Sequence, residues 1–258
     1  MGSLLKDSFV HPEKIGRAKN LSKGKTFLYL LLLALIMMIP LSFQVSNILQ
    51  NLHKDGQEIA ANIPEFEIKD GTLTVPEKMK SYVQNTSTLS FFFDPNGDLD
   101  TTDVDRAVEQ TSSFIGVAML QKELYLNASL YYFSFDYTEF ASLTPAQVRS
   151  PFEAMGSFGG AGSVFFAVAL YFFVFLNLLV ELLLFTLFAN IFGTFWGNRQ
   201  RFGETWKIVA VASTLPTVFF ALLELLGLTP LFQLEAKGLI IMILFFMATR
   251  PATSSPGN

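Results

Sequence analysis

Glu181 is an ionisable residue inside an apolar block. Within the block Ala161–Phe192 the strongly polar residue nearest to it is Asn177, and a carboxylate within a membrane span is costly unless it is paired or hydrated. Asn177 lies four residues earlier, which predicts a shared helix face. The block Ile208–Leu228 carries Ser213, Thr214 and Thr217 around Pro216, with Glu224 near its end. Counted at the helical rise from the basic ends of the two blocks, Glu181 falls about 17 Å deep, Glu224 about 25 Å and the three hydroxyls about 9–15 Å. The two glutamates are therefore not an obvious carboxylate pair, whereas Ser213, Thr214 and Thr217 are in reach as hydroxyl partners of Glu181. Three chemistries stay open: a polar clamp between helices, a proton or ligand site, and intramembrane acid–base catalysis by Glu181 or Glu224.

Outside the apolar blocks, the run Asp94, Asp98, Asp100, Asp103 and Asp105 suggests calcium, since hard cations take several oxygens from one loop. The EF-hand spacing fails, because Gly97 is fourth from Asp94 rather than sixth and no Glu closes the loop at the twelfth position. Asp94, Asp98 and Asp100 remain the metal candidates. Against them stands a solvated turn and helix start, where Asp suits the first turn. Gly24-Lys25-Thr26 has the ending of a phosphate-binding loop, but Lys19 occupies the place of its upstream Gly. His11 and His53 are the two histidines, and the first apolar block separates them, so neither a Ser-His-Asp set nor a His-rich zinc site assembles. Asn85-Thr86-Ser87 and Asn127-Ala128-Ser129 match the glycosylation triplet, which is common by chance. No catalytic residue and no cofactor is assigned.

The elements that must position these residues follow from composition. Of 258 residues, 51% are apolar and 16% charged, with 28 Phe, no Cys and a formal net charge of -4. The charged share is well below that of soluble domains. Residues 1–25 carry six basic and two acidic side chains, and residues 50–157 seven basic and sixteen acidic. This distribution argues against a soluble cytosolic enzyme, a nucleic-acid binder built on a basic face, a disulfide scaffold and a cysteine zinc site.

The block Thr26–Val45 has no charge and is long enough to span the bilayer. The stretch Pro40-Leu41-Ser42-Phe43-Gln44 offers no small-x-small cleavage site, which predicts an uncleaved anchor. Ala161–Phe192 exceeds one straight crossing, predicting tilt or a Gly-rich start at Gly156, Gly159, Gly160 and Gly162. Ile208–Leu228 spans with a kink at Pro216. Gly238–Thr249 is too short by itself, but a start at Thr229 as N-cap with Pro230 first in the helix makes it a full span, with Glu235 and Lys237 snorkelling or facing the bundle. Lys6, Lys14, Arg17, Lys19, Lys23 and Lys25 precede the first block, Arg199, Arg201 and Lys207 lie between the second and third, and Arg250 follows the fourth. Four spans put all of these on the cytoplasmic side.

The acidic middle reads as α+β. Glu65 to Val75 alternates on both sides of Asp70-Gly71, a type I′ hairpin signal. Leu89–Phe93 reads as a buried strand ending at Asp94-Pro95-Asn96-Gly97, and Thr102–Gln110 as a helix capped by Thr101 or Thr102. Ile115–Leu120, Leu124–Ala128 and Leu130–Phe135 read as strands, and Pro145–Met155 as a helix. The expectation is a four-helix α transmembrane bundle with an inserted extracytoplasmic α+β domain. Its parts are a basic cytoplasmic amino terminus 1–25, an anchor 26–48, an outer domain 49–158, a three-span membrane domain 159–250 and a cytoplasmic tail 251–258.

Several stretches together carry a family resemblance. Ser8-Phe9-Val10-His11-Pro12-Glu13-Lys14-Ile15, Gly24-Lys25-Thr26-Phe27-Leu28-Tyr29 and Ile63-Pro64-Glu65-Phe66-Glu67-Ile68-Lys69-Asp70-Gly71-Thr72-Leu73 are followed by Phe91-Phe92-Phe93-Asp94-Pro95-Asn96-Gly97. Gly203-Glu204-Thr205-Trp206-Lys207 and Ala212-Ser213-Thr214-Leu215-Pro216 complete the set. In this order the chain resembles a Gram-positive bacterial multi-pass membrane family of unknown function, whose members are often named maltodextrin utilization proteins. His11 departs from the family's serine-x-proline pattern. The resemblance implies an anchor, an outer domain and a helical bundle, but brings no catalytic residue and no maltodextrin site.

The resulting expectation is a non-enzymatic accessory or sensory protein of the bacterial plasma membrane, with an extracytoplasmic binding domain and both termini cytoplasmic. The alternative is an auxiliary component of maltodextrin or related carbohydrate transport. The partners expected are the lipid bilayer and another membrane or envelope protein, a carbohydrate permease among the candidates, and not nucleic acid.

Overall fold

The computed structural model describes residues 8, 11–76, 79–111, 113–128, 131–140, 142–195 and 200–249. It divides into two compact units, an α+β unit Gln44–Gly160 and a helical unit made of Met1–Phe43 with Ala161–Asn258. The expectations for Lys6, Phe9, Val10, Ser129, Leu130, Arg199, Arg250 and the tail 251–258 lie outside the described residues.

In the α+β unit, β1 (Glu67–Lys69) and β2 (Thr72–Thr74) form the expected hairpin, with Ile68 opposite Leu73. Asp70 and Gly71 have φ of 50° and 72°, the double positive φ of a type I′ turn. A five-stranded sheet follows in the order β3 (Tyr82–Asn85), β4 (Leu89–Phe93), β5 (Ile115–Met119), β6 (Glu123–Ala128), β7 (Tyr131–Asp136). β4 and β5 are parallel and the other neighbours antiparallel. Parallel neighbours need a crossover, and the connection between these two contains α2 (Thr101–Thr111).

β4 is buried along its whole length, with Ser90 the one polar residue in it. Leu89, Phe91 and Phe93 join Ile59, Ile63, Val117, Met119 and Phe152 in one core, while Phe92 joins Val104, Val108, Ala118 and Tyr125 in another. A strand buried on both faces has no polar face to alternate with. Phe152 is supplied by α3 (Pro145–Ala154), whose Thr144–Gln147 capping box fixes its start.

The structure adds to the sequence reading at three points. The helix that begins with the anchor continues past residue 48: α1 runs from Lys23 to Asn62, and its last turns put Ile59 and Ala60 into the sheet core of the α+β unit. α2 is not capped by Thr101 or Thr102, because Asp100 Oδ1 accepts the Asp103 N–H at 2.9 Å and Asp103 Oδ2 accepts the Asp100 N–H at 3.3 Å; a carboxylate at the cap outdoes the threonine hydroxyls that follow it. β3 was not anticipated, since a half-exposed edge strand of four residues carries little periodic signal.

The helical unit holds a 3-10 helix, Pro12–Asn20, the first part of α1, α4 (Gly160–Phe195), α5 (Phe202–Ala212), α6 (Thr214–Leu225) and α7 (Gln233–Thr249). Among the described residues, three stretches are long and apolar enough to cross a membrane: Lys23–Asn62, Gly160–Phe195 and Phe202–Leu225 taken together. α7 is not among them. It begins at Gln233 rather than at Thr229 and has 17 residues, about 25 Å at the helical rise. The third stretch starts at Phe202 instead of Ile208 and is interrupted at Ser213, three residues before Pro216. Pro216 has no N–H for the carbonyl of Ala212, so the helix parts there.

Ile208 to Ala212 are buried among Leu30, Leu33, Leu178, Leu182, Ile241 and Phe245. The basic amino-terminal segment also packs: Ile15 and Ala18 of the 3-10 helix are in the same core, and a Cβ on Gly16 would stand 2.3 Å from the Ala248 carbonyl oxygen.

Candidate functional site

Within the helical unit, Glu181 is paired with Lys237. Lys237 Nζ lies 3.6 Å from Glu181 Oε1, with side chains 8% and 9% exposed respectively. The backbone explains the approach. Gly238 follows Lys237, and a Cβ there would stand 2.7 Å from Phe185 Cε1, so glycine lets α7 close on α4 where the two charges meet. Each charge supplies what the other needs to leave water, and their mutual attraction offsets desolvation.

The register of α1 and α4 shows the level of this pair. The rings of Phe27 and Phe175 are 5.8 Å apart, and the Tyr171 hydroxyl donates to the Leu31 carbonyl at 2.9 Å. The helices are thus antiparallel. Glu181 lies about 9 Å along α4 beyond Phe175, and Lys23 about 6 Å along α1 from Phe27. The pair is therefore roughly level with the basic start of α1, and α4 runs well past that start.

The other candidates lie elsewhere. Asn177 is exposed while Glu181 is buried, so the shared face predicted by four-residue spacing is not a shared environment. Ser213, Thr214 and Thr217 are buried, but among the described residues it is Lys237 that answers Glu181. Ser213 donates to the Ala210 carbonyl at 2.9 Å and Thr214 to that of Val211 at 2.8 Å. The Tyr29 hydroxyl meets Thr214 Oγ1; with the Thr214 proton committed to Val211, Tyr29 is the donor. Glu224 accepts from Gln233 Nε2 at 2.6 Å, closing the turn between α6 and α7. Sequence reasoning missed Lys237 as the counter-charge and Tyr29 as a clamp. The signal for Lys237 was present, as it is the one cation in the fourth apolar block and stands beside a glycine.

In the α+β unit the acidic candidates act as turn and cap residues. Asp94 is fully buried and accepts from the Ser81 hydroxyl at 2.5 Å and from the N–H groups of Asn96, Gly97 and Leu99 at 3.2, 3.0 and 2.8 Å. Burial raises its pKa, but these hydrogen bonds outweigh it and hold the carboxyl below its ordinary value. Asp98 Oδ2 lies 2.8 Å from the same Ser81 hydroxyl, whose one proton it shares with Asp94, and Asp100 caps α2. Among the described residues no group of three or more His, Cys, Asp or Glu is arranged to hold a metal ion. Asp105 accepts from Tyr125 Oη at 2.8 Å and Asn127 Nδ2 at 2.7 Å.

The unit also exposes an aromatic edge. β7 is the last strand of the sheet, and Tyr131, Tyr132 and Phe133 on it are 67%, 52% and 49% exposed. Tyr132 stacks on Tyr125 of β6 with an interplanar angle of 14°. Exposed aromatics on an unpaired strand edge suit recognition by strand addition or ring packing.

A family model described as protein of unknown function (DUF1189) matches residues 3–252. No curated protein and no solved structure matches the chain.

Proposed function

The chain belongs to the DUF1189 family of proteins of unknown function, and from that premise we propose that it is a non-enzymatic accessory or sensory protein of the bacterial plasma membrane. Its α+β unit lies outside and binds a protein or other envelope ligand through the β7 edge. The helical unit anchors it as a bundle in which α7 packs beside the three longer spans, with both termini inside. The observation that carries the binding role is the run of exposed Tyr131, Tyr132 and Phe133 on the sheet edge. The membrane setting is supported by the three long apolar stretches and by the basic residues flanking them. Glu181 serves as a structural clamp, a reading supported by its pairing with Lys237.

A photo-crosslinking residue at Tyr132 of the full-length protein in intact cells tests the binding role. The expected result is a discrete adduct that disappears when Tyr131 and Phe133 are changed to Ser, with no adduct from the exposed control position Glu109. Equal labelling at both positions would sink the β7 assignment. Orientation is read separately from Ser157→Cys, which should react with an impermeant maleimide in intact cells; reaction only after lysis reverses the topology. The alternative, an auxiliary role in maltodextrin or related carbohydrate transport, draws on the family resemblance. A permease in the Tyr132 adduct would favour it.

A further inference from the structure

A cleft of about 610 Å³ opens between the starts of α1 and α5 and the flank of α4. Its lining has two characters. Phe27, Leu30, Leu179 and Trp206 form an apolar wall, and Lys23, Arg201 and Lys207 bring three cations to it. Lys23 and Arg201 are exposed and Lys207 is half-buried, its ammonium donating to the Lys19 carbonyl at 3.2 Å. None of the three is within ion-pair distance of a carboxylate among the described residues. Glu204 also lines the cleft, but its carboxylate accepts the Arg201 N–H at 3.3 Å, capping α5. Both helices begin here, so their amino-terminal dipoles add to the positive field.

We propose that this cleft binds the phosphate headgroup of an anionic phospholipid, with an acyl chain along Phe27, Leu30 and Leu179. The inference rests on the membrane reading given above. A soluble phosphate ligand would find cations on one side and hydrocarbon on the other, whereas a phospholipid is amphipathic in the same sense as the cleft. Trp206 of the apolar wall is followed in sequence by the cation Lys207, tryptophan is enriched at membrane interfaces, and basic pockets between spans on the cytoplasmic side are suited to anionic headgroups. The Thr26 hydroxyl is committed to the Ser22 carbonyl at 3.1 Å. Recognition is therefore by charge, and the site selects anionic over zwitterionic lipid rather than one headgroup alcohol.

The full-length protein in detergent is titrated with phosphatidylglycerol, phosphatidylcholine and inorganic phosphate, and retained lipid is measured by native mass spectrometry. Phosphatidylglycerol should bind at least about tenfold more tightly than phosphatidylcholine. Lys23→Gln, Arg201→Gln and Lys207→Gln should each weaken it roughly fivefold, leaving phosphatidylcholine unchanged, while Lys23→Arg with Lys207→Arg retains the preference. If Lys207→Gln does not fold, the two exposed positions carry the test. Equal retention of both lipids, unchanged binding by the Gln variants, or displacement of phosphatidylglycerol by equimolar inorganic phosphate overturns the proposal. Flotation with vesicles of either lipid is scored independently: failure to associate with both removes the membrane reading, and association without anionic preference removes the cleft alone.

Discussion

Asp55 shows how one side chain ties a helix to a sheet. Near the end of α1 it is buried, and its Oδ2 accepts from the Ser87 hydroxyl at 2.8 Å and from both the N–H and hydroxyl of Thr88 at 2.7 Å. Burial pushes its pKa up, but the hydrogen bonds from Thr88, Ser87 and Thr86 prevail and the carboxyl sits below its ordinary value. A group whose folded pKa is depressed contributes stability that is complete well above its unfolded value of about 4 and is lost as pH falls through the folded one. The α+β unit should therefore melt at lower temperature as pH drops below about 4, and Asp55→Ala should flatten that dependence. The same substitution should cost about 2 kcal/mol at neutral pH by stranding its donors. Calorimetry of both proteins across pH checks this, and parallel curves would dismiss Asp55 as the cause. Glu181 and Lys237 make the corresponding case in the helical unit. Lys237→Met should destabilise by about 3–5 kcal/mol because a buried carboxylate is left alone, and adding Glu181→Gln should recover most of the loss. Melts in detergent over this double-mutant cycle decide it; a single variant costing under about 1 kcal/mol means that the pair is hydrated.

Turn chemistry and edge exposure govern the elements. The β1–β2 hairpin depends on Gly71, whose φ of 72° is joined by a tight contact, since a Cβ there would stand 2.7 Å from Thr138 Cγ2. Gly71→Val combines a β-branched residue at positive φ with that clash and should cost roughly 1–3 kcal/mol, measurable as a lowered denaturation midpoint. An unchanged midpoint would mean that the hairpin is not coupled to the unit's cooperative unfolding. This turn was legible from Asp70-Gly71 because local sterics alone select it. The end of α1 was not, because residues 49–62 carry polar side chains between Leu49, Leu52, Ile59 and Ala60, and their role as a helix is fixed by the sheet against which they pack.

At the scale of the whole molecule, the α+β unit has its own core on both faces of its sheet. The fragment 44–160 is expected to fold by itself, with mixed α/β circular dichroism and one cooperative melt, whereas a fragment beginning at residue 63 should lose that cooperativity because Ile59 and Ala60 would be missing from the core. Identical melts would show that the end of α1 is dispensable. The sequence alone determined what depends on composition and short-range geometry: long apolar helices, an acidic α+β segment between them, the I′ turn, and β4 as an unbroken buried run. It also identified Glu181 as the charge to explain, since hydrocarbon-like surroundings penalise any carboxylate. Tertiary structure alone decided what answers that charge. The spacing of Asn177 described one helix, and the depth count for Ser213, Thr214 and Thr217 assumed ends level with one another, but the contact of Gly238 with Phe185 brings Lys237 from another element, and the antiparallel register of α1 and α4 sets the level of the pair. Periodicity is a property of a single helix, whereas partner choice and depth are properties of how helices are staggered and how closely their backbones approach.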